Sequence, residues 1–200
     1  TLTDSTISGN YSYSDGAGIF SQYAGNISIT DSQVVNNKVT EAGYHGGGIY
    51  GANGDITITG STISGNESKG DGGGVYSYKG SLTISNTTVT GNSADYGGGG
   101  VFNYEGDLTV TSSVFTNNNA DYGGGGGIGN TAGRLTISGT RITDNQAVGD
   151  GGGVATNNGL VDISESLIAS NTATIDGGGI ASATGVVLVT NSTISGNTST

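Results

Sequence analysis

The chain has no proline, cysteine, methionine or tryptophan. Without cysteine there is no disulfide framework and no thiolate metal site, so thiol usage says nothing about compartment. Positive charge is scarce: 5 Lys and Arg against 16 Asp and Glu give a formal net charge of −11. Such a chain repels nucleic-acid phosphates and anionic membrane surfaces, so no nucleic-acid partner is expected. No apolar run approaches the ~20 residues that span a bilayer, so membrane insertion by this segment is not expected either. A start Met and a signal-like leader are also missing, which predicts a mature or excised segment. What is abundant is glycine, at 41 of 200 positions. There is no G-X-Y period, and Ile, Val and Leu recur between the glycines, so the glycines belong to an ordered repeat.

One phrase recurs along the whole chain. An aliphatic or aromatic residue stands three positions before an Asn in Ile7/Asn10, Val34/Asn37, Ile63/Asn66, Val89/Asn92, Phe115/Asn118, Ile142/Asn145, Ile168/Asn171 and Ile194/Asn197. Successive Asn are 27, 29, 26, 26, 27, 26 and 26 residues apart. Each period holds three short apolar segments: an alternating strand such as Leu82-Thr83-Ile84, the segment before the Asn, and one after a glycine run, as in Gly72-Gly73-Gly74-Val75. Ile, Val and Thr favour strands, and helical periodicity is absent.

The fold predicted is all-β: a right-handed single-stranded parallel β-helix with three short strands per coil of ~27 residues and about seven coils. It forms a single β-solenoid domain over 1–200 with no caps evident. Alternation puts Leu82, Ile84, Val89 and Val75 inside and Thr83 and Ser85 outside. The Asn column, Asn10, Asn37, Asn66, Asn92, Asn118, Asn145, Asn171 and Asn197, is expected to form an inward structural ladder at a corner, where Asn tolerates left-handed backbone. The glycine runs lack the GK[ST] ending of a phosphate loop and read as architecture.

The pairing of GG-[small]-[IV] with an aromatic or aliphatic-x-x-Asn resembles the repeat of the polymorphic outer-membrane proteins. Phe115-Thr116-Asn117-Asn118 matches their F-x-x-N form, while most copies carry Ile or Val in place of Phe. The chain is equally similar to the wider class of bacterial parallel β-helix repeat proteins, including autotransporter passengers. That resemblance implies an extracellular or cell-surface location and adhesion, display or matrix roles.

Pectate lyases and polygalacturonases share this fold and resemble one another in clustering Asp, Lys, Arg or His on one sheet face. Here Lys38, Lys69, Lys79, Arg134 and Arg141 are dispersed, so the chain is read as non-enzymatic, with no catalytic residue and no cofactor. His45, the single His, aligns between Asp15 and Asp71 in a coil three residues longer than usual, and the insertion is expected to bulge and leave it in a solvated loop. Asp150 and Asp176 share a column in adjacent coils; they read as solvated turn carboxylates or a Ca²⁺ site, although the GGxGxDxUx calcium repeat is missing. Arg134 aligns one coil above Asp107 and is expected to pair with it.

Phe20, Tyr50, Tyr76 and Phe102, flanked by Tyr78 and Tyr104, form an outward stripe that is a candidate contact surface for a partner chain, a neighbouring segment or a glycan. A Thr-x-Thr array from Thr57/Thr59 to Thr109/Thr111 is similar to the flat ranks of ice-binding solenoids, with Asp162 and Leu188 interrupting it. Sequons such as Asn26-Ile27-Ser28 and Asn86-Thr87-Thr88 are candidate glycosylation sites. Those at Asn10, Asn66 and Asn197 fall in the inward column.

The segments 2–10 and 189–197 carry the same phase of the repeat. This predicts either a piece of a longer solenoid or a subunit that self-associates head to tail or laterally. The leading reading is a structural extracellular or cell-surface solenoid, a filament subunit or rigid adhesin stalk assembled by coil-on-coil stacking. The alternative is a polysaccharide-binding or polysaccharide-degrading β-helix, with ice binding behind both.

Overall fold

The structure is a computed structural model that describes residues 1–200. It contains 31 strands and no helix, so no helix is long and apolar enough to cross a membrane. The strands stack into four parallel sheets, three of eight strands and one of seven.

One coil illustrates the rest. Leu82–Ser85 lies in the first sheet, Thr88–Thr90 in the second, Ser93–Ala94 in the third and Val101–Asn103 in the fourth. Each pairs in register with its equivalent one coil away: Leu82 lies beside Ile56 and Leu108, and Val89 beside Ile63 and Phe115. Strands of two to five residues bury little alone. Stacking supplies both the hydrogen-bond partners and the apolar neighbours.

Two expectations change. The coil has four strands rather than three, because two residues after each ladder Asn form a strand of their own, from Tyr11–Ser12 to Thr198–Ser199. Their inward position holds Ser68, Ala94, Ala120, Ala147 or Ala173 in most coils. Pairs this short, mostly with small inward side chains, carry no hydrophobic signal. There are also about eight turns rather than seven, since eight ladder Asn bound seven full repeats and the flanking strands complete a further turn.

The core is one continuous cluster of 23 buried residues. Ile58, Ile84, Val110, Ile137 and Ile163 form one column; Val34, Ile63, Val89, Phe115, Ile142 and Ile168 form another. Burying each such side chain contributes roughly 1.5–3 kcal/mol. The outward residues of the same strands, such as Thr83 and Ser85, remain partly exposed.

The glycine run allows the third sheet to turn into the fourth. Gly72 has φ +67°, a conformation that glycine adopts without the Cβ penalty. Gly74 is excluded from change for a different reason: a Cβ there would lie 2.5 Å from the Gly100 carbonyl oxygen and 3.2 Å from Asn92 Cγ. At this corner the backbones of successive coils touch.

Candidate functional site

The eight Asn of the repeat line up along the solenoid. Each side-chain Nδ2 donates to the Oδ1 of the next, at 2.8 Å for Asn10 to Asn37 and 2.9–3.0 Å for the six later steps. The same Oδ1 accepts the backbone N–H of the preceding Asn, as at Asn92 N to Asn118 Oδ1, 3.1 Å. From Asn37 onward, the second Nδ2 hydrogen goes to a carbonyl oxygen of the previous coil, for example Asn92 Nδ2 to Ile63 O at 3.0 Å. The six interior amides are buried and use both their donor hydrogens and two acceptor positions. The ladder Asn do not adopt left-handed backbone. The residue before each does: Gly9, Asn36, Gly65, Gly91, Asn117, Asp144, Ser170 and Gly196.

A second ladder escaped the sequence reading. Five residues before each ladder Asn stands a Ser or Thr, and the hydroxyl of each from Ser32 to Ser192 accepts the backbone N–H of its counterpart one coil earlier, as in Thr87 N to Ser113 Oγ, 3.1 Å. The hydroxyl itself donates two residues back, as in Ser113 Oγ to Thr111 O, 2.7 Å. Its signal was an invariant hydroxyl in all eight copies, hidden because Ser and Thr also fill the outward positions. A short third ladder joins Asn103 Nδ2 to Asn130 Oδ1 at 2.9 Å on the inward side of the fourth sheet; Asn103 Oδ1 and Asn130 Nδ2 there are buried without partners.

On the outward side of the same sheet the rings of Phe20, Tyr50, Tyr76 and Phe102 stack face to face, with centroids 5.2, 5.4 and 5.8 Å apart and planes within 14°. Tyr78 stacks on Tyr104 at 5.2 Å beside them. The open patch expected from sequence is reduced because the rings cover one another: Phe20 is 50% exposed but Tyr76 only 5%.

His45 is part of the reason. Glu41–Tyr44 take up the insertion on the surface, and His45 returns to the column instead of bulging out with them. Its ring stacks on Tyr76 at 4.4 Å, its backbone N–H donates to Asp15 Oδ1 at 2.7 Å, and its Nδ1 accepts the Asp71 N–H at 2.9 Å. The Asp71 Oδ1 then accepts Gly97 N–H at 2.7 Å. Burial pushes the Asp71 carboxyl up, offset in part by the Gly97 N–H and by His45. The Tyr76 hydroxyl is pushed up by burial, with Asp71 adding to it.

The dispersed cations are all engaged except Arg141, whose guanidinium has no carboxylate partner. Lys38 Nζ lies 2.7 Å from Glu67 Oε2, and Lys69 Nζ bridges Glu67 at 3.3 Å and Asp95 at 3.1 Å. Burial raises the Glu67 carboxyl, but the two lysines outweigh it and leave it below its ordinary value. Lys79 lies 3.9 Å from Glu105. Arg134 does not form the ion pair expected with Asp107. The Asp107 carboxylate accepts the Arg134 backbone N–H at 3.0 Å, and the guanidinium reaches Asp162 at 2.9 Å. This Asp162 pair interrupts the outward Thr column of Thr57, Thr83, Thr109 and Thr136.

Asp150 Oδ1 accepts the Asp176 N–H at 3.1 Å, and no further His, Asp or Glu side chain joins the two carboxylates in a cluster. Asn26 Oδ1 is likewise occupied by the Asp55 N–H, whereas Asn86 stands exposed on a left-handed corner.

The turn column that carries Asp71 loses its side chain one coil before the aromatic column does. Beyond Phe102 the outward position is Gly129, then Ala155 and Ala181; beyond Asp71 the turn position is Gly97, then Gly124. The result is an open cleft of about 210 Å³, floored by Gly97, Gly123, Gly124, Gly129 and Ala155, with Phe102, Asp71, Tyr96, Thr131, Asn130 and Asn157 completing its lining. Tyr96 was not singled out from sequence. Its signal was the doubled phrase Ala94-Asp95-Tyr96-Gly97 and Ala120-Asp121-Tyr122-Gly123.

A family profile described as a right-handed beta helix region matches residues 46–200. No curated protein and no solved structure matches the chain. The profile covers both catalytic and non-catalytic chains, so it fixes architecture and leaves function to the surface. With the stacked coils, the parallel sheets and the match over well more than half its length, the chain belongs to the right-handed β-helix family.

Proposed function

We propose that this chain is a structural β-solenoid, displayed outside the cell or on its surface, that serves as a rigid stalk or filament segment. The observation carrying this reading is the continuity of the ladders. The Asn steps run unbroken from Asn10 to Asn197, and the interior amides of this ladder are spent on neighbouring coils. A rod so built resists bending because any kink must break an amide ladder, a hydroxyl ladder and four sheets together. The location and the display role rest on the resemblance to surface repeat proteins.

The terminal coils favour coil-on-coil stacking. Leu2, Ile7, Ile19, Ile27 and Ile29 line a groove of about 300 Å³ at one end, and Val186, Leu188, Val189 and Ile194 are exposed at the other. Apolar residues beside unpaired strand edges accept another coil, whether from the same polypeptide or from a second molecule. Electron microscopy and light scattering across a concentration series test this. Straight rods or fibres of uniform width support it, and a compact particle that bends freely or cleaves a polysaccharide overturns it.

A further inference from the structure

Beyond a structural role, we propose that the cleft at the end of the aromatic column binds one neutral hexopyranose ring of a glycan, stacked against Phe102 in the place the next aromatic side chain would have taken. Four rings repeat at 5.2–5.8 Å along the column, and at Gly129 the fifth is missing. His45 stacks on Tyr76 from the coil before it, but the position so placed for Phe102 holds Asp71, which has no ring, and Gly97 beside Phe102 in its own coil has no side chain. The cleft therefore combines a partly exposed ring with an opening about one sugar ring in size.

Its polar lining suits hydroxyl groups. Asp71 Oδ1 accepts the Gly97 N–H, while Oδ2, 3.4 Å from His45 Nδ1, keeps acceptor capacity for a hydroxyl donor. Asn157 and Thr131 offer donors and acceptors, and the half-exposed Tyr96 adds a phenol at the edge. An aromatic platform with a few convergent polar groups binds a ligand whose one face is apolar and whose rim is hydroxylated. Charge selects among such ligands. The lining contains a carboxylate and no Lys or Arg, in a chain of net charge −11, so uronates and phosphosugars are repelled.

Gly129 supplies a decisive variant. Its backbone is not left-handed, and a Cβ there meets one side of the Phe102 ring, 2.6 Å from Cδ2 and 3.0 Å from Cε2, with the Gly98 backbone N at 3.1 Å, so the ring must turn to admit it. Gly129→Tyr would continue the column and fill the cleft. The test is calorimetric titration of neutral gluco-, manno- and galacto-oligosaccharides and of oligogalacturonate into the intact chain, Gly129→Tyr, Phe102→Ala and a Thr83→Tyr control on another sheet, with melting curves for each.

We expect at least one neutral oligomer to bind, at least tenfold weakening in both cleft variants with Gly129→Tyr as stable as the parent, no change in the control, and no uptake of oligogalacturonate. Absence of binding to every neutral oligomer, equal binding of oligogalacturonate, or binding that Gly129→Tyr leaves intact would overturn the site. None of these results bears on the rod, which microscopy reads separately.

Discussion

Asn92 sends both its side-chain Nδ2 and its backbone N–H to the same atom, Asn118 Oδ1, at 3.0 and 3.1 Å. One oxygen thus satisfies two buried donors from the coil before it, and the arrangement repeats at every step.

Asn118→Ala should consequently be costly, because two donors of Asn92 lose their acceptor inside the core. At about 1–3 kcal/mol for each unsatisfied buried group, a loss of about 2–6 kcal/mol is expected. Asn10→Ala, at an exposed end of the ladder, should cost under about 1 kcal/mol. Native-state hydrogen exchange would check both, with the loss at Asn118 centred on its own and adjacent coils.

Two glycines separate close approach from backbone conformation. Gly91 has φ +63° and open space where a Cβ would go, so Gly91→Ala should cost only the left-handed penalty, about 1–2 kcal/mol. Gly74→Ala drives a Cβ into the Gly100 carbonyl and should cost more, since that neighbour is backbone and cannot turn aside. Paired urea titrations that ranked Gly91→Ala as the more damaging would contradict the packing described.

Tyr76→Ala removes a ring held between Tyr50 and Phe102 and flanked by His45. With each aromatic pair worth about 0.5–1.5 kcal/mol beyond burial, a loss of about 2–4 kcal/mol is expected. Phe20→Ala, half exposed and stacked on one side, should lose about 1 kcal/mol. Thermal melts compare them, and loss of near-ultraviolet tyrosine dichroism should accompany the first.

Acidification should act through Glu67 and Asp71 with opposite signs. Glu67 is held below its ordinary value, so its stabilisation is fully present above about pH 4.5 and is lost as pH falls through the folded value. Because the pair with Lys38 is partly exposed, only a few tenths of a kcal/mol is involved, and salt should shrink it. Asp71 is raised, so its charge burdens the fold at neutral pH and protonation relieves that burden. Asp71→Asn keeps an acceptor for Gly97 and should raise the melting temperature at pH 7 but not at pH 3, whereas Glu67→Gln should flatten the acid limb.

The period, the inward aliphatics and the Asn column were legible in the sequence because each recurs once per coil, and stacking identical coils turns recurrence into adjacency. Leu82, Ile84 and Val89 could be placed inward for the same reason. The third sheet was not legible, since strands such as Ser93–Ala94 are two residues long with a small inward side chain. The Ser/Thr ladder was masked by the outward hydroxyls around it. His45 and Arg134 went to partners that alignment of columns could not supply, because a long side chain chooses between coils by reach and local packing.

The sequence by itself determined that the chain coils, its pitch in residues and what fills its centre, because a repeat buries nothing until it meets its own copy. Only the tertiary structure decided how rings and charges share the outside. That depends on angles at the corners and on which neighbour is glycine, so the exposed stripe became a self-covering stack that ends in a cleft at Gly129.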